Sequence, residues 1–279
     1  MNVPLPDLRI VSLDSVLPHE EHDEQRLHRL VARIREDDVL RNPPIVTPIG
    51  LDDPRMVVLD GANRALALKR LGLSCVLVQV VHYNTEMVKL ETWAHVVSGI
   101  STLALIDVIN DLDEIELVSA EPEEAKRLLA RREAILSLII AAGTYVVHGG
   151  SDLHEQNTRL LRVVNAYQAH GTLNRTTVKT IEEARPLYPN GAGLIVFPNY
   201  QPAEVIAAAR ESTHIPPGIT RHVIIGRALR VNYPLEELNQ YDEDGSLEMK
   251  NARLTAWLQD RAANQRLRFY AEPTFLFDE

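Results

Sequence analysis

Short apolar runs and amphipathic stretches alternate along the first hundred residues. Leu8–Leu17 opens with Leu-Arg-Ile-Val-Ser-Leu and predicts a strand. Leu27, Leu30, Val31 and Ile34 recur at helical spacing, with acids in front and Arg26, Arg29, Arg33 and Arg35 further along. That spacing predicts an amphipathic helix starting near Glu21–Glu24 and ending at Asp37-Asp38. Asn42-Pro43-Pro44 breaks the chain, Ile45–Pro48 predicts a short strand and Leu51–Arg55 a turn. Met56–Leu59 is an apolar run of strand type, and Asp60-Gly61 is a turn dipeptide. Ala62–Leu71 is rich in Ala and Leu, lacks β-branched residues and stops at Gly72, which predicts a helix. Cys75–Val81 predicts a buried strand, and Thr85–Gly99 reads as a helix carrying Trp93.

Residues 107–125 are acidic, which suggests a domain boundary or a linking helix there and divides the chain into 1–106 and 107–279. Ala125–Arg132 continues as a helix. Glu133–Ile140 and Thr144–His148 predict two strands around Ala141–Gly143, and Asp152–Gln168 a helix that ends before Gly171. Val178–Ala184 reads as helix or turn, Gly193–Phe197 as a strand, and Pro202–Arg210 as a helix with proline in its first turn. Pro216-Pro217-Gly218 predicts a rigid loop presenting Thr220-Arg221-His222, followed by the apolar Val223–Ile225. Pro234 to Asn239 starts a short segment, Leu247–Leu267 predicts a last helix with Trp257, and the tail is Phe-rich. Strands and helices alternate without the long regular series of a doubly wound sheet, so the expected class is α+β.

Composition narrows the setting. At 279 residues the chain is long enough for one large or two ordinary domains, and 45% hydrophobic with 24% charged residues is a globular balance. No apolar run approaches the roughly 20 residues that span a bilayer, so no membrane partner is expected. Met1–Pro4 lacks the basic and apolar regions of a secretion signal. Cys75 stands alone, which excludes an internal disulfide and a cysteine-based zinc site, and a reducing cytoplasm is the expected location. The net charge is −10 and no basic block occurs, so nucleic acid is not an expected partner. An anionic ligand must be held at a local cationic site.

Four stretches carry candidate chemistry. Free N–H groups at the start of the Ala62 helix attract anions, Gly61 permits close backbone approach, and Arg64 can fold back onto the same anion. The corner thus suits a phosphate; it also suits an ordinary strand–turn–helix corner with a solvated arginine. His19-Glu20-Glu21-His22 has its histidines three apart, where a helical zinc motif needs four. Its carboxylates sit where a helix begins, so a fixed Glu could deprotonate a hydroxyl, or simply balance the helix dipole. Trp93 suits either core or a pocket wall. Thr220-Arg221-His222 offers a hydroxyl, a guanidinium and an imidazole, which suits a small carboxylate-bearing ligand or a surface turn.

Asp-Gly-x-x-Arg after an apolar strand, with Leu-Pro-His-Glu and Leu-x-Asn-Pro-Pro upstream, resembles the ParB/sulfiredoxin-like fold. His19-Glu20, Asp60-Gly61-Ala62-Asn63-Arg64, Glu91-Thr92-Trp93 and Pro216 to His222 together resemble the free L-serine kinases, whose members include archaeal ADP-dependent and staphylococcal siderophore-pathway ATP-dependent enzymes. The matches run from about residue 8 to about 235. The resemblance implies a ParB/sulfiredoxin-like N-terminal domain, a second α/β domain and an active-site cleft between them. It implies phosphoryl transfer from ATP or ADP, with Mg²⁺, to the hydroxyl of free L-serine, giving O-phospho-L-serine. Glu20 matches the catalytic base, with Glu21 the alternative. Asp60 matches the motif acid that holds Mg²⁺ or aligns the hydroxyl. Gly61, Ala62, Asn63 and Arg64 match the nucleotide-phosphate corner, and Trp93, Thr220, Arg221 and His222 the serine pocket. Two positions depart from the family: Asn63 stands where histidine is usual, and Arg33 where some relatives carry a small hydroxyl residue. These departures motivate a second reading, a nucleotide-binding regulator with the corner but weak catalysis. A DNA-binding ParB-like protein is a more distant third, because the chain has no basic helix-turn-helix segment.

Overall fold

The computed structural model describes residues 5–21, 24–239 and 246–270. His22 and the tail from residue 271 lie outside the described residues. The chain opens with β1 (Asp7–Ser12) and β2 (Val16–Pro18), then α1 (Glu24–Asp37) and β3 (Val39–Leu40). β4 (Ile45–Pro48), β5 (Met56–Asp60), α2 (Ala62–Arg70) and β6 (Cys75–Val80) follow. Five of these strands form one sheet in the order β1-β6-β4-β5-β2. β5 runs antiparallel to β4 and parallel to β2, which brings the end of β2 beside the end of β5.

The continuous apolar run of β5 has a packing reason. Side chains along a strand alternate faces. Val58 enters a core with Leu27, Leu68 and Leu77, while Val57 and Leu59 enter a second core with Leu138, Val163 and Ile219. The strand is buried on both faces, so no polar alternation remains.

β7 (Val88–Thr92) and β8 (Ala94–Ser98) come next, then α3 (Thr102–Asn110), β9 (Val118–Ala120), α4 (Pro122–Ala130), β10 (Ala134–Ile140) and β11 (Gly143–His148). α5 (Leu153–His170) leads to β12 (Thr172–Thr176), α6 (Ile181–Leu187), β13 (Gly191–Val196) and α7 (Pro202–Glu211). A second, antiparallel sheet has the order β12-β8-β13-β10-β11-β9. β14 (Thr220–Ile224) pairs with β7 in a separate ribbon that sets Arg221 against Glu91 and Thr220 against Thr92. The chain closes with β15 (Tyr233–Pro234), α8 (Leu235–Asn239) and α9 (Leu247–Ala263).

Several expectations change. Thr85–Gly99 is not a helix but two strands, β7 and β8, with Trp93 at the junction. The β-branched Val88, Thr92, Val96 and Val97 suit strands, and β8 is central in its sheet, so its apolar run lacks the alternation that marks an exposed strand. Thr220-Arg221-His222 is strand β14 rather than loop, held by its ladder to β7. Residues 107–125 are the end of α3, β9 and the start of α4, not one linking helix. Sheet membership already changes at Ala94, before the boundary expected at 106/107. α9 returns to the first sheet, where Asn251 donates to the Ile10 carbonyl at 2.8 Å and accepts from the Ile10 N–H at 2.9 Å. That side chain satisfies part of the β1 edge.

Candidate active site

The corner after β5 has the geometry its sequence predicts. Gly61 takes φ +91°, a left-handed value that favours glycine, and no side chain caps α2. The first N–H groups of a helix lack intrahelical partners, and Gly61 to Arg64 line a cavity of about 990 Å³. Arg64 folds back over Gly61 and donates to Asp60 Oδ2 at 3.0 Å. Arg227, from the segment after β14, pairs with the same oxygen. Burial opposes ionisation of Asp60, but the two guanidiniums outweigh it and hold the carboxyl below its ordinary range. Among the described residues, Asn63 Oδ1 and Arg64 Nε are buried without a hydrogen-bond partner. Native proteins rarely leave such atoms unpaired, and both belong to residues lining the cavity.

Glu20 lies where residues 19–21 pair with Ile215. Ile215 N–H donates to the His19 carbonyl at 2.8 Å, and Glu21 N–H to the Ile215 carbonyl at 3.0 Å. Three donors converge on the Glu20 carboxylate: Gly218 N–H at 2.9 Å, Thr220 N–H at 3.0 Å and Thr220 Oγ1–H at 2.5 Å. Its orientation is therefore fixed from the Pro216–Thr220 side. Gly218 has φ +80°, and a Cβ there would collide with the Arg175 guanidinium. The Gly218 carbonyl accepts from His95 Nε2 at 2.9 Å, and His95 Nδ1 lies 2.6 Å from the Tyr167 hydroxyl. Burial pushes His95 down to about 4, so it is neutral at pH 7 and acts as a clamp on the loop.

Trp93, Arg221 and His222 complete the cavity wall. Arg221 Cζ lies 4.8 Å from the centre of the Trp93 ring, and its guanidinium pairs with Glu91, which also meets Lys89 Nζ at 2.6 Å. His222 Nε2 lies 2.6 Å from the Tyr83 hydroxyl, and its ring meets His19 edge-on at 5.4 Å. Burial first, and His19 second, push His222 down to about 3, so it is neutral.

All the expected site residues line this one cavity: Glu20, Asp60, Gly61, Ala62, Asn63, Arg64, Trp93, Thr220, Arg221 and His222, with Glu21 and Arg33 beside them. Seven arginines and four carboxylates line it. An acidic protein thus carries a cationic pocket, as an anionic ligand requires. The Thr220 hydroxyl is already engaged with Glu20 and His19, and Arg221 already has a carboxylate partner. Sequence reasoning missed Arg227, Arg175, His95 and Tyr83. Each comes from a separate element and only tertiary folding brings it to the site. His19 was visible as the neighbour of Glu20, without a role of its own.

No family model matches the chain. The chain is 27% identical over 277 residues, 98% of itself and 97% of the relative, to the ATP-dependent L-serine kinase SbnI of Staphylococcus aureus. It is 24% identical to the ADP-dependent L-serine kinase SerK of Thermococcus kodakarensis, over 83% of itself and 93% of the relative. The chain resembles the free L-serine kinases over nearly its whole length. Among solved structures, a free serine kinase with a glutamate-to-alanine mutation, in complex with ADP, superposes with a TM-score of 0.72 at 20% identity. The match covers 85% of this chain and 97% of that one, and it establishes the mixed α+β fold.

Proposed function

We propose that this chain is a free L-serine kinase that transfers a phosphoryl group from ATP or ADP to the serine hydroxyl and releases O-phospho-L-serine. One observation carries the reading: a carboxylate fixed by three donors and an uncapped helix corner with unpartnered polar atoms open into one cation-rich cavity. The similarity to serine kinases along nearly the full chain supports the same reaction. In this reading the first sheet and its helices form a ParB/sulfiredoxin-like nucleotide-binding domain, the second sheet belongs to a substrate domain, and the cavity is the cleft between them. A cytoplasmic location suits the single buried thiol, Cys75.

Phosphoryl transfer asks for placement and charge stabilisation more than covalent chemistry from the protein. The Gly61–Arg64 corner binds the nucleotide phosphates, with Arg64 and Arg227 leaving Asp60 for phosphate oxygens. Glu20 accepts the proton of the serine hydroxyl. Arg221 exchanges Glu91 for the serine carboxylate, and Trp93 covers the ligand. Mg²⁺ fits the donor set: it commonly takes one or two carboxylates with phosphate oxygens and waters, and Asp60 is the carboxylate at the corner. When bound there, Mg²⁺ would neutralise charge on the phosphates.

The test is incubation with serine, Mg²⁺ and either nucleotide, followed by detection of phosphoserine by mass spectrometry. Product with at least one nucleotide is expected. A folded protein that binds nucleotide and makes none would refute the kinase and leave a nucleotide-binding regulator.

A further inference from the structure

We propose that His19, through the Thr220 hydroxyl, shares the proton that Glu20 takes from the acceptor hydroxyl, so that Glu20, Thr220 and His19 act as one base. The inference rests on the kinase reading above, in which Glu20 is the catalytic residue. His19 and Thr220 are positioning residues behind it.

Hydrogen-bond counting carries the argument. His19 Nδ1 lies 2.6 Å from the Val58 carbonyl, which can only accept, so Nδ1 holds a proton. His19 Nε2 lies 2.7 Å from Thr220 Oγ1, and the same Oγ1 lies 2.5 Å from Glu20 Oε1. Two hydrogen-bonding gaps therefore stand in a row, and the hydroxyl supplies one proton. With Glu20 ionised and His19 neutral, the row is one proton short, and one gap holds two acceptors facing each other.

Proton uptake repairs this. As the serine O–H bond breaks, the proton binds the Glu20 carboxylate. The electron pair stays on the serine oxygen and forms the new bond to the terminal phosphorus, and the nucleotide departs with the electrons of its bridging P–O bond. Glu20 then donates to Thr220 Oγ1, and Thr220 donates to His19 Nε2. If the proton advances to give an imidazolium, both hydrogen bonds are still made. The base gains a hydrogen bond by being protonated, and that gain falls in the step where the proton leaves serine.

Burial assigns the roles. The His19 side chain is 5% exposed and that of Glu20 19%, so Glu20 is the more open of the two to the cavity that both line, and His19 sits behind it. Desolvation lowers the His19 imidazole, against the pull of Glu20, which leaves Nε2 free to accept. The groups facing the row are His222 across the ring contact, with Asp60 beyond it, His214 near Glu21, and Tyr200, whose hydroxyl senses Glu20. His222 is neutral, and Tyr200 is pushed up to about 12, so neither competes for the proton near pH 7.

The test compares phosphoserine formation across pH for wild type, His19→Asn, His19→Gln and Thr220→Ser. Asparagine can keep an N–H on the Val58 carbonyl but reaches nothing at Nε2, whereas glutamine can offer Thr220 an acceptor. His19→Asn is expected to lower kcat roughly tenfold, the equivalent of one hydrogen bond. It moves the acid limb of the kcat profile to lower pH, because the row no longer helps to hold the proton. KM for serine and nucleotide affinity stay as in wild type. His19→Gln retains a larger share of kcat, and Thr220→Ser, which keeps the hydroxyl, moves the acid limb less than His19→Asn does. Equal losses in the Asn and Gln variants with an unmoved acid limb, or losses tracking weaker nucleotide binding, overturn the relay. Nitrogen-15 NMR of His19 reads the row without turnover. The Nδ1–H tautomer, with an Nε2 resonance that shifts in Thr220→Val, is expected; an Nε2–H tautomer, or indifference to Thr220→Val, overturns the proposal. Absence of phosphoserine from wild type overturns the kinase reading, and the NMR result then decides the hydrogen-bonded row by itself.

Discussion

Replacing Gly61 by alanine tests whether the corner holds phosphate. Two effects follow from its geometry. At φ +91° an L-residue is strained, which costs about 1–2 kcal/mol. The new Cβ would also lie 2.5 Å from Arg64 Nη2, 2.7 Å from Nε and 2.9 Å from Cζ. Those atoms are the far end of a flexible side chain, so Arg64 moves and the backbone does not. The displaced guanidinium loses its place over the corner and its 3.0 Å bond to Asp60. A charge-assisted contact is worth about 1.5–3 kcal/mol, so nucleotide affinity should fall about 10- to 150-fold. Calorimetric titration with ATP and ADP reads the affinity, and urea unfolding reads a stability loss of about 1–2 kcal/mol. Arg64→Ala serves as the comparator: it should lose similar affinity without the backbone cost. Nucleotide binding within about twofold of wild type in a Gly61→Ala protein that carries the stability loss would refute the phosphate corner.

Glu20→Gln should lower kcat by about 10²–10⁴ while leaving nucleotide affinity unchanged, since the amide cannot accept the proton; retained turnover would remove Glu20 from the base role. Asn63→Ala should weaken nucleotide binding more than serine binding, because its side-chain amide lines the corner and its N–H can donate to a phosphate oxygen; a silent substitution leaves the phosphates to Gly61 and Arg64. His95 makes folding acid-sensitive. Its ordinary value of 6.5 falls to about 4 in the folded protein, so below pH 6.5 the unfolded chain binds a proton that the folded one refuses. Its contribution is full above pH 6.5 and is lost as pH falls toward 4, by ~3 kcal/mol in all. Urea unfolding across that window should show the decline, with a shallower slope in His95→Gln; an equal slope would contradict a buried neutral His95.

The strand–turn–helix corner at Asp60–Arg64 was legible because it is local. Val57 to Gly72 contains the strand, the turn glycine and the helix, and Arg64 reaches back only to Asp60 and Gly61. Glu20 was legible as a carboxylate before a helix, but its hydrogen-bond donors come from Gly218 and Thr220, about 200 positions away. β7 and β8 were misread because Ala94–Ser98 is buried on both faces and shows no period of two. The β14 ladder was hidden by the double proline before it, which suggested a loop that continued through His222. Arg227 and His95 carry no local signal: one becomes significant by meeting Asp60, the other by meeting the Gly218 carbonyl.

The central claim is that one cavity brings a nucleotide phosphate to a serine hydroxyl under Glu20. A phosphorus-31 NMR time course with serine, Mg²⁺ and ATP or ADP, run on wild type and Glu20→Gln, tests it most directly. The structure predicts a growing phosphoserine resonance for wild type with at least one nucleotide, and slowing by at least about a hundredfold in Glu20→Gln. Equal phosphoserine rates in the two proteins, or none from folded wild type, would contradict it.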